Sequence, residues 1–461
     1  MNHWKPQRLL DEWKKLTSGS INRKIFGAAV IVGFLTIFVK VASVGKELVV
    51  AWRFGTGDEI DAFLIALVIP SFIINVVAAS FNAALIPTYI KVREQEGKTA
   101  GQKLFSGATV WSLALLVIAT TLMIGTAPLY LPLIALGFSS QKLDLTFRLL
   151  CAISPIVLLN GIITIWAAIL NAGERFALAA ICPIITPVIT VILLVGFKSW
   201  GIFALAVALV LGAVVEIVIL GIGLHRQGLS LLPKWYGFDA NMRLVANQYA
   251  PIVAGSLLIC TAGSIDQVMA AMLSPGSVAA LNYGNKVIAS PISLITTALS
   301  TAVIPYFSKM LACQDWKGVD RTLKQYLQLI FLTTVPLTVL LFIFSEVIVQ
   351  VLFQRGSFTV ENTQLVAQIQ AYYSLQLPFY VANILVVRLI TSMQKNHILV
   401  WVSALNTIVN VTLNYLFINW MGIKGIALST SCIYLCSFLT VFLFAIQKIE
   451  ENQKLQKKLY E

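Results

Sequence analysis

The segment FVKVASVGKELVVAW, residues 38–52, places Lys40, Lys46 and Glu47 inside an otherwise apolar run. A charge near the centre of a bilayer costs about 3 kcal/mol on insertion scales, so such side chains face a cavity or a partner rather than lipid. Lys40 and Glu47 are seven residues apart, which returns them to nearly the same face of a helix, about 10 Å apart along its axis. Lys46 flanks that face, and Gly45 allows the helix to bend there. Two lysines against one glutamate leave a net positive wall. That wall is either part of a salt-bridge lattice between helices or the lining of a cavity that contacts an anion.

The second half of the chain carries comparable charges, Asp266 in AGSIDQVMAAML and Lys286 in ALNYGNKVIASP. They either share a central site with the first set or pair with each other. Arg388 either snorkels to the headgroups or lines the cytoplasmic end of a cavity. Glu216 and Glu346 are isolated acids, read as proton-coupling groups or as neutral groups at helix interfaces. Asp58, Glu59 and Asp61 suit the first turn of a helix, where acids are favourable without any further role. Asn75, Asn82, Asn282 and Asn285 are either hydrogen-bond partners of a substrate or ordinary contacts between helices. No GxxxxGK[ST] stretch and no nucleophile–base constellation stands out. The expected activity is translocation, not catalysis, and no cofactor is implied. The charged sites leave membrane potential, H⁺ or Na⁺ as the candidate driving forces, with Glu47 and Asp266 as the sensing groups.

The elements that must position these residues are membrane helices. Of the 461 residues 58% are hydrophobic and only 11% charged, and the mean hydropathy is +0.85. Apolar runs of about twenty residues recur along the whole chain, the pattern of an all-α polytopic membrane protein. About twelve spans are expected, over 25–54, 60–90, 104–126, 146–171, 176–197, 201–224, 245–273, 278–311, 326–352, 365–394, 398–420 and 425–446. The first run starts near Ile25 and is too long for a signal-peptide core, so it is expected to be retained. The preceding residues 1–24 mix Trp and Leu with Lys and Arg, as an amphipathic or disordered cytoplasmic segment would. Lys and Arg crowd the connections on the side of the N-terminal tail. The opposite connections and the helix ends beside them hold few: Arg53, Lys142, Arg148, Lys198, Arg355 and Lys424. By the positive-inside rule both termini are cytoplasmic, and topology rather than nucleic acid accounts for the net charge of +13. The six cysteines form no CxxC pair and the three histidines are scattered, so packing rather than metal binding is expected.

The two halves resemble each other at an offset of about 220 residues, the sign of an internal repeat. AALIPTYIK (83–91) answers TAVIPYFSK (301–309), LGFSS around Gly137 answers RGSFT around Gly356, and WGIFALA at Gly201 answers MGIKGIA at Gly422. This predicts an N-lobe over 25–224, a cytoplasmic linker over 225–244, a C-lobe over 245–446 and a basic tail over 447–461. Parallel six-helix repeats place a substrate site between them and work by alternating access. The same offset makes Glu47 and Asp266 counterparts.

RFGTGDEIDAF (53–63) and ALIPTYIK in the first half, with SPGSVAALNYGNKVIASP (274–291), VIPYFSK (303–309) and LFQRGSFT (352–359) in the second, resemble the MurJ (MviN) lipid II flippase family. The likeness runs collinearly over nearly the whole chain. It implies the fold of the multidrug/oligosaccharidyl-lipid/polysaccharide exporter superfamily, two six-helix lobes around a central cavity in a bacterial cytoplasmic membrane. It implies movement of a polyprenyl-diphosphate-linked glycan from the cytoplasmic to the outer leaflet for peptidoglycan synthesis, with cell-wall or polysaccharide synthesis enzymes as partners. Carried over by position, the diphosphate-binding cavity residues are Lys40, Lys46 and Lys286. Glu47, Asp61 and Asp266 are gating or coupling residues, and Asn75, Asn282, Asn285 and Arg388 are secondary polar groups. The basic pair of the family's second helix falls on the uncharged Ile74 and Asn75, and lysines stand where the family favours arginines. A lysine is a point charge without the two-pronged grip of a guanidinium on phosphate. An exopolysaccharide or O-antigen repeat unit therefore stays open as an alternative cargo, and an ion-coupled small-molecule exporter of the same fold as a further one.

Overall fold

The structure, a computed structural model, describes residues 21–460. Among them every regular element is helical. The helices are α1 Ile21–Phe54, α2 Asp58–Gln95, α3 Lys98–Ile134, α4 Ser140–Ala172, α5 Phe176–Gly196 and α6 Phe203–His225. The second set is α7 Ala240–Ala271, α8 Ser277–Ala312, α9 Trp316–Ile343 with its continuation Ser345–Phe353, α10 Val360–Ser392, α11 His397–Met421 and α12 Ile423–Tyr460. Among the described residues nine of these are long and apolar enough to cross a membrane, all but α1, α7 and α8. Those three carry Lys40, Lys46, Glu47, Asp266 and Lys286. Most of the expected residues 1–24 segment lies outside the described residues.

Several helices outrun their apolar cores. The 37 residues of α3 rise about 55 Å at 1.5 Å each, well beyond a hydrocarbon layer of about 30 Å. Hydropathy falls where a helix leaves lipid while its backbone bonding continues, so 104–126 and 425–446 mark only the apolar middles of α3 and α12. The tail after residue 446 is accordingly helical through Tyr460.

The repeat is written into the backbone. Gly201 before α6 (φ 52°, ψ −138°) and Gly422 before α12 (φ 64°, ψ −142°) share a conformation essentially confined to glycine. Left-handed residues recur at matching turns: Gly55 with Gly276, Gly97 with Gln314, and Glu174 with Gln394. The fourth helix of each half breaks at a serine. Ser154 Oγ donates to the Cys151 carbonyl at 2.8 Å, and Ser374 Oγ donates to the Ala371 carbonyl at 2.7 Å. Pro155 and Pro378 follow these breaks. Pro155 lacks the N–H that would bond the Cys151 carbonyl, and Ser154 Oγ takes its place. At the second kink Ser374 Oγ holds the Ala371 carbonyl, and the Leu375 N–H turns to the Tyr372 carbonyl at 3.3 Å.

Two compact units result. Unit 1 holds the residues up to Val49, Ile73–Ile124 and Cys151–Val253; unit 2 holds Val50–Phe72, Gly125–Leu150 and the residues from Ala254 onward. Unit 1 is organised around Phe81, Leu85, Phe105, Ile165, Ile169 and Leu224, with Trp111 and Tyr249 packed against them. The connection after α6 runs along α3, where Gln102 exchanges two bonds with the Ser230 backbone and Ser106 Oγ donates to the Lys234 carbonyl at 3.0 Å. Unit 2 has its own aromatic core, including Tyr283, Phe353 and Phe358 with centroids 5.3–5.7 Å apart.

The twin glycines give a test of the repeat's backbone logic. No atom lies within 4 Å of a methyl built on Gly422, so Gly422→Ala meets only the backbone penalty, about 1–3 kcal/mol. Thermal unfolding of the purified protein is expected to show this loss for Gly422→Ala and for Gly201→Ala. Gly33→Ala, equally uncrowded within α1, is expected to be neutral or slightly stabilising.

Candidate functional site

The described residues place the sequence-predicted groups in three settings. The first is a latch in unit 2 around Asp61, which is 1% exposed. Its carboxylate accepts hydrogen bonds from the N–H groups of Gly276 at 2.7 Å and Ala279 at 2.8 Å. It thereby caps the start of α8, where unpaired N–H groups and the helix dipole favour an anion. Lys142, at the start of α4, reaches Asp61 at 2.9 Å and Asp58 at 2.6 Å, with its ammonium 4.0 Å from the Phe138 ring centroid. The turn Trp52–Thr56 is tied in as well. Ser357 donates from its N–H to the Trp52 carbonyl at 2.8 Å and from its Oγ to the Arg53 carbonyl at 2.9 Å. Thr56 Oγ1 donates to Asn362 Oδ1 at 2.8 Å. A methyl on Gly276 would sit 2.3 Å from the Thr56 carbonyl oxygen, so this approach requires glycine. RFGTGDEIDAF, SPGSVAALNYGN and LFQRGSFT thus meet at one place.

The second setting is the set of basic residues. In unit 1, Lys46 Nζ pairs with Glu47 at 2.7 Å, both side chains partly exposed. Lys40 is exposed and makes no ion pair among the described residues. In unit 2, Lys286 is half-buried on α8 with its ammonium 6.0 Å from the Tyr283 ring centroid. Arg388 is exposed near the end of α10. Asn75 is exposed within a five-residue π-turn, Ile74–Ala78, in the middle of α2. Such turns occur often at functional sites.

The third setting surrounds Asp266 on α7, which does not pair with Lys286. Its carboxylate accepts from Asn410 Nδ2 at 3.0 Å, Asn414 Nδ2 at 2.7 Å and Thr430 Oγ1 at 3.2 Å. No cation accompanies it among the described residues, and the fully buried Asn414 leaves its Oδ1 without a hydrogen-bond partner. A cavity of about 400 Å³ opens beside this cluster, lined in part by Asn282 and Asn285. Glu216 is buried in unit 1 and accepts from Thr186 Oγ1 at 2.7 Å, a contact between α5 and α6. Glu346 is exposed. All six cysteines are free, and the described residues contain no cluster of three His, Cys, Asp or Glu suited to a metal.

Sequence reasoning missed Lys142, Asn410 and Asn414. Lys142 in SSQKLD looks like any interfacial lysine, and nothing local announces its pairing with Asp61. The asparagines did leave a signal. Asn406, Asn410 and Asn414 are spaced by four and stripe one face of an apolar helix.

A multi-pass helical protein with twinned halves, charged residues in the middle of long helices and polar clusters bonded between helices belongs to the class of membrane transporters rather than enzymes. The model of the family described as "Lipid II flippase MurJ" matches residues 50–460. The chain belongs to the MurJ family. Among curated relatives, a probable lipid II flippase MurJ of Synechocystis sp. is 28% identical over 94% of this chain and 83% of its own length. The lipid II flippase MurJ of Burkholderia cenocepacia is 24% identical over 88% and 80%. A solved lipid II flippase MurJ in an inward closed conformation shares the fold with a TM-score of 0.79 at 22% identity, covering 91% of this chain and 87% of that one. An inward-facing multidrug resistance MATE family transporter follows at a TM-score of 0.74 and 13% identity, covering 93% and 99%.

The latch makes a stability prediction. Lys142→Ala leaves Asp61 buried with its charge uncompensated, and is expected to cost about 3–5 kcal/mol in thermal or denaturant unfolding. The double variant Lys142→Ala/Asp61→Asn removes the stranded charge and is expected to recover a large part of that loss.

Proposed function

We propose that this protein is a flippase that moves a polyprenyl-diphosphate-linked glycan, lipid II or a close relative, from the cytoplasmic to the outer leaflet of a bacterial cytoplasmic membrane. The observation that carries the reading is the match to the lipid II flippase model over residues 50–460. The chemistry agrees with it. A diphosphate and its sugars cannot cross hydrocarbon unaided, because ions and unpaired hydroxyls are costly to desolvate. Lys40 and Lys46 on α1 and Lys286 on α8 supply the positive charge, Lys46 and Lys286 by exchanging their present contacts for phosphate. The prenyl chain stays in lipid while the headgroup is carried. Both termini are cytoplasmic in this reading, and Asp61 acts as a gating residue on the outer side. Enzymes that make and consume the lipid-linked glycan are its functional partners.

Coupling to an ion is part of the same reading, with Asp266 as the cation site. Asn410 and Asn414 now present their Nδ2 groups to the carboxylate; with the amides flipped, their Oδ1 atoms, Thr430 Oγ1 and the carboxylate would make an all-oxygen set on three helices. Hard cations such as Na⁺ take oxygen ligands, and a proton on the carboxylate would answer the same lack of a counter-charge.

Lys46→Ala and Lys286→Ala are expected to abolish flipping in proteoliposomes, while the arginine replacements retain part of it. Normal flipping by both alanine variants would sink the anion-cavity reading. Rescue of cells depleted of their own lipid II flippase would assign the cargo to peptidoglycan synthesis; failure despite full expression would point to another lipid-linked glycan. Asp266→Asn is expected to remove the dependence of transport on a Na⁺ or proton gradient. Wild-type flipping that persists unchanged after both gradients and the membrane potential are collapsed would refute the coupling.

A further inference from the structure

The cavity beside Asp266 has a chemistry of its own. It lies wholly within unit 2, between α7, α8, α10 and α12, and measures about 400 Å³. That falls in the size range of small-molecule sites. Gln267, Asn282, Asn285, Gln376, Tyr380 and Tyr434 line it. None of the six makes a side-chain hydrogen bond to another described residue. Four amides and two phenols facing one space, each able to donate and accept, are unusual inside a membrane protein, where polar side chains ordinarily bond one another.

The backbone helps to present them. At the break in α10, Gln376 donates from its N–H to the Tyr373 carbonyl at 3.2 Å. Ser431 Oγ on α12 takes up the Tyr372 carbonyl at 2.7 Å. Gln376 thus enters the cavity from an interrupted helix, the kind of element that builds substrate sites in transporters. The Tyr380 and Tyr434 rings stand edge to face with centroids 4.7 Å apart, which fixes both phenols.

Charge narrows the ligand. Among the described residues the lining contains one carboxylate, Asp266, and no lysine or arginine. Such a wall repels phosphate and the carboxylates of a peptide, and it accepts neutral hydroxyl and acetamido groups. We propose that this cavity is a sugar subsite that takes a neutral hexose or N-acetylhexosamine ring of the transported lipid, apart from the basic residues that hold its diphosphate. The assignment rests on the flippase reading and divides its cargo into an anionic part and a neutral part with separate partners.

The test uses the full chain in lipid nanodiscs and two probes: a polyprenyl diphosphate without sugar, and the same lipid bearing an N-acetylglucosamine disaccharide. Wild type is expected to bind the glycosylated lipid more tightly than the bare one. Tyr380→Phe, which removes one hydroxyl and keeps the ring, and Gln267→Ala are each expected to weaken the glycosylated lipid about fivefold, the net worth of one hydrogen bond. Bare-lipid affinity is expected to stay unchanged, which also reports that the variants are folded. Equal wild-type affinity for the two probes, or variants that lower both alike, would overturn the sugar subsite while leaving the flippase reading intact. Wild type that binds neither probe would instead count against the flippase reading itself.

Discussion

Hydrocarbon offers no water to a stray hydrogen-bonding group, so each polar atom in a span has to be answered by the protein, a neighbouring helix or the cargo. The breaks in α4 and α10 are answered locally, by Ser154 and Ser374 bonding three residues back. The asparagine stripe of α11 is answered by other helices: Asn406 reaches Ser437, and Asn410 and Asn414 reach Asp266. Around Gln267, Asn282 and Tyr380 the described residues give no such answer, and these groups open onto the cavity beside Asp266.

The same constraint explains the latch. Asp61 and Lys142 are almost fully buried, and each is tolerable only because the other, with Asp58 and the first turn of α8, surrounds it. Removing one partner would strand a charge, which makes the cluster all-or-none rather than adjustable. The motifs behind the family resemblance are therefore largely turn and latch residues. Their resemblance reports how the turns lock.

The two halves repeat a frame and not a chemistry. Glu47 and Asp266 occupy equivalent positions, yet Glu47 faces a lysine and Asp266 faces amides and a hydroxyl. Twin glycines and twin serine kinks keep the backbones alike, because a left-handed turn or a broken helix admits few solutions. Side chains on that frame were free to diverge, so that one acid meets a lysine and its counterpart meets asparagines and a threonine.

Hydropathy, charge asymmetry and the offset of about 220 residues were enough to specify a polytopic helical protein with two related halves, since burial in lipid is recorded residue by residue. The intramembrane charges were legible for the same reason: Lys40, Lys46, Glu47, Asp266 and Lys286 stand out against apolar runs. Helix ends were read short, because helical bonding continues where apolarity stops, as in α3 and α12. What only the tertiary structure decided was pairing. Asp61 looked like a helix-start acid and is the buried centre of a latch, Lys142 carried no mark at all, and Asp266 pairs with asparagines rather than with Lys286. One-dimensional order records what a residue is and which face of its helix it occupies; which distant side chain meets it depends on how helices cross, and that is settled only when they pack.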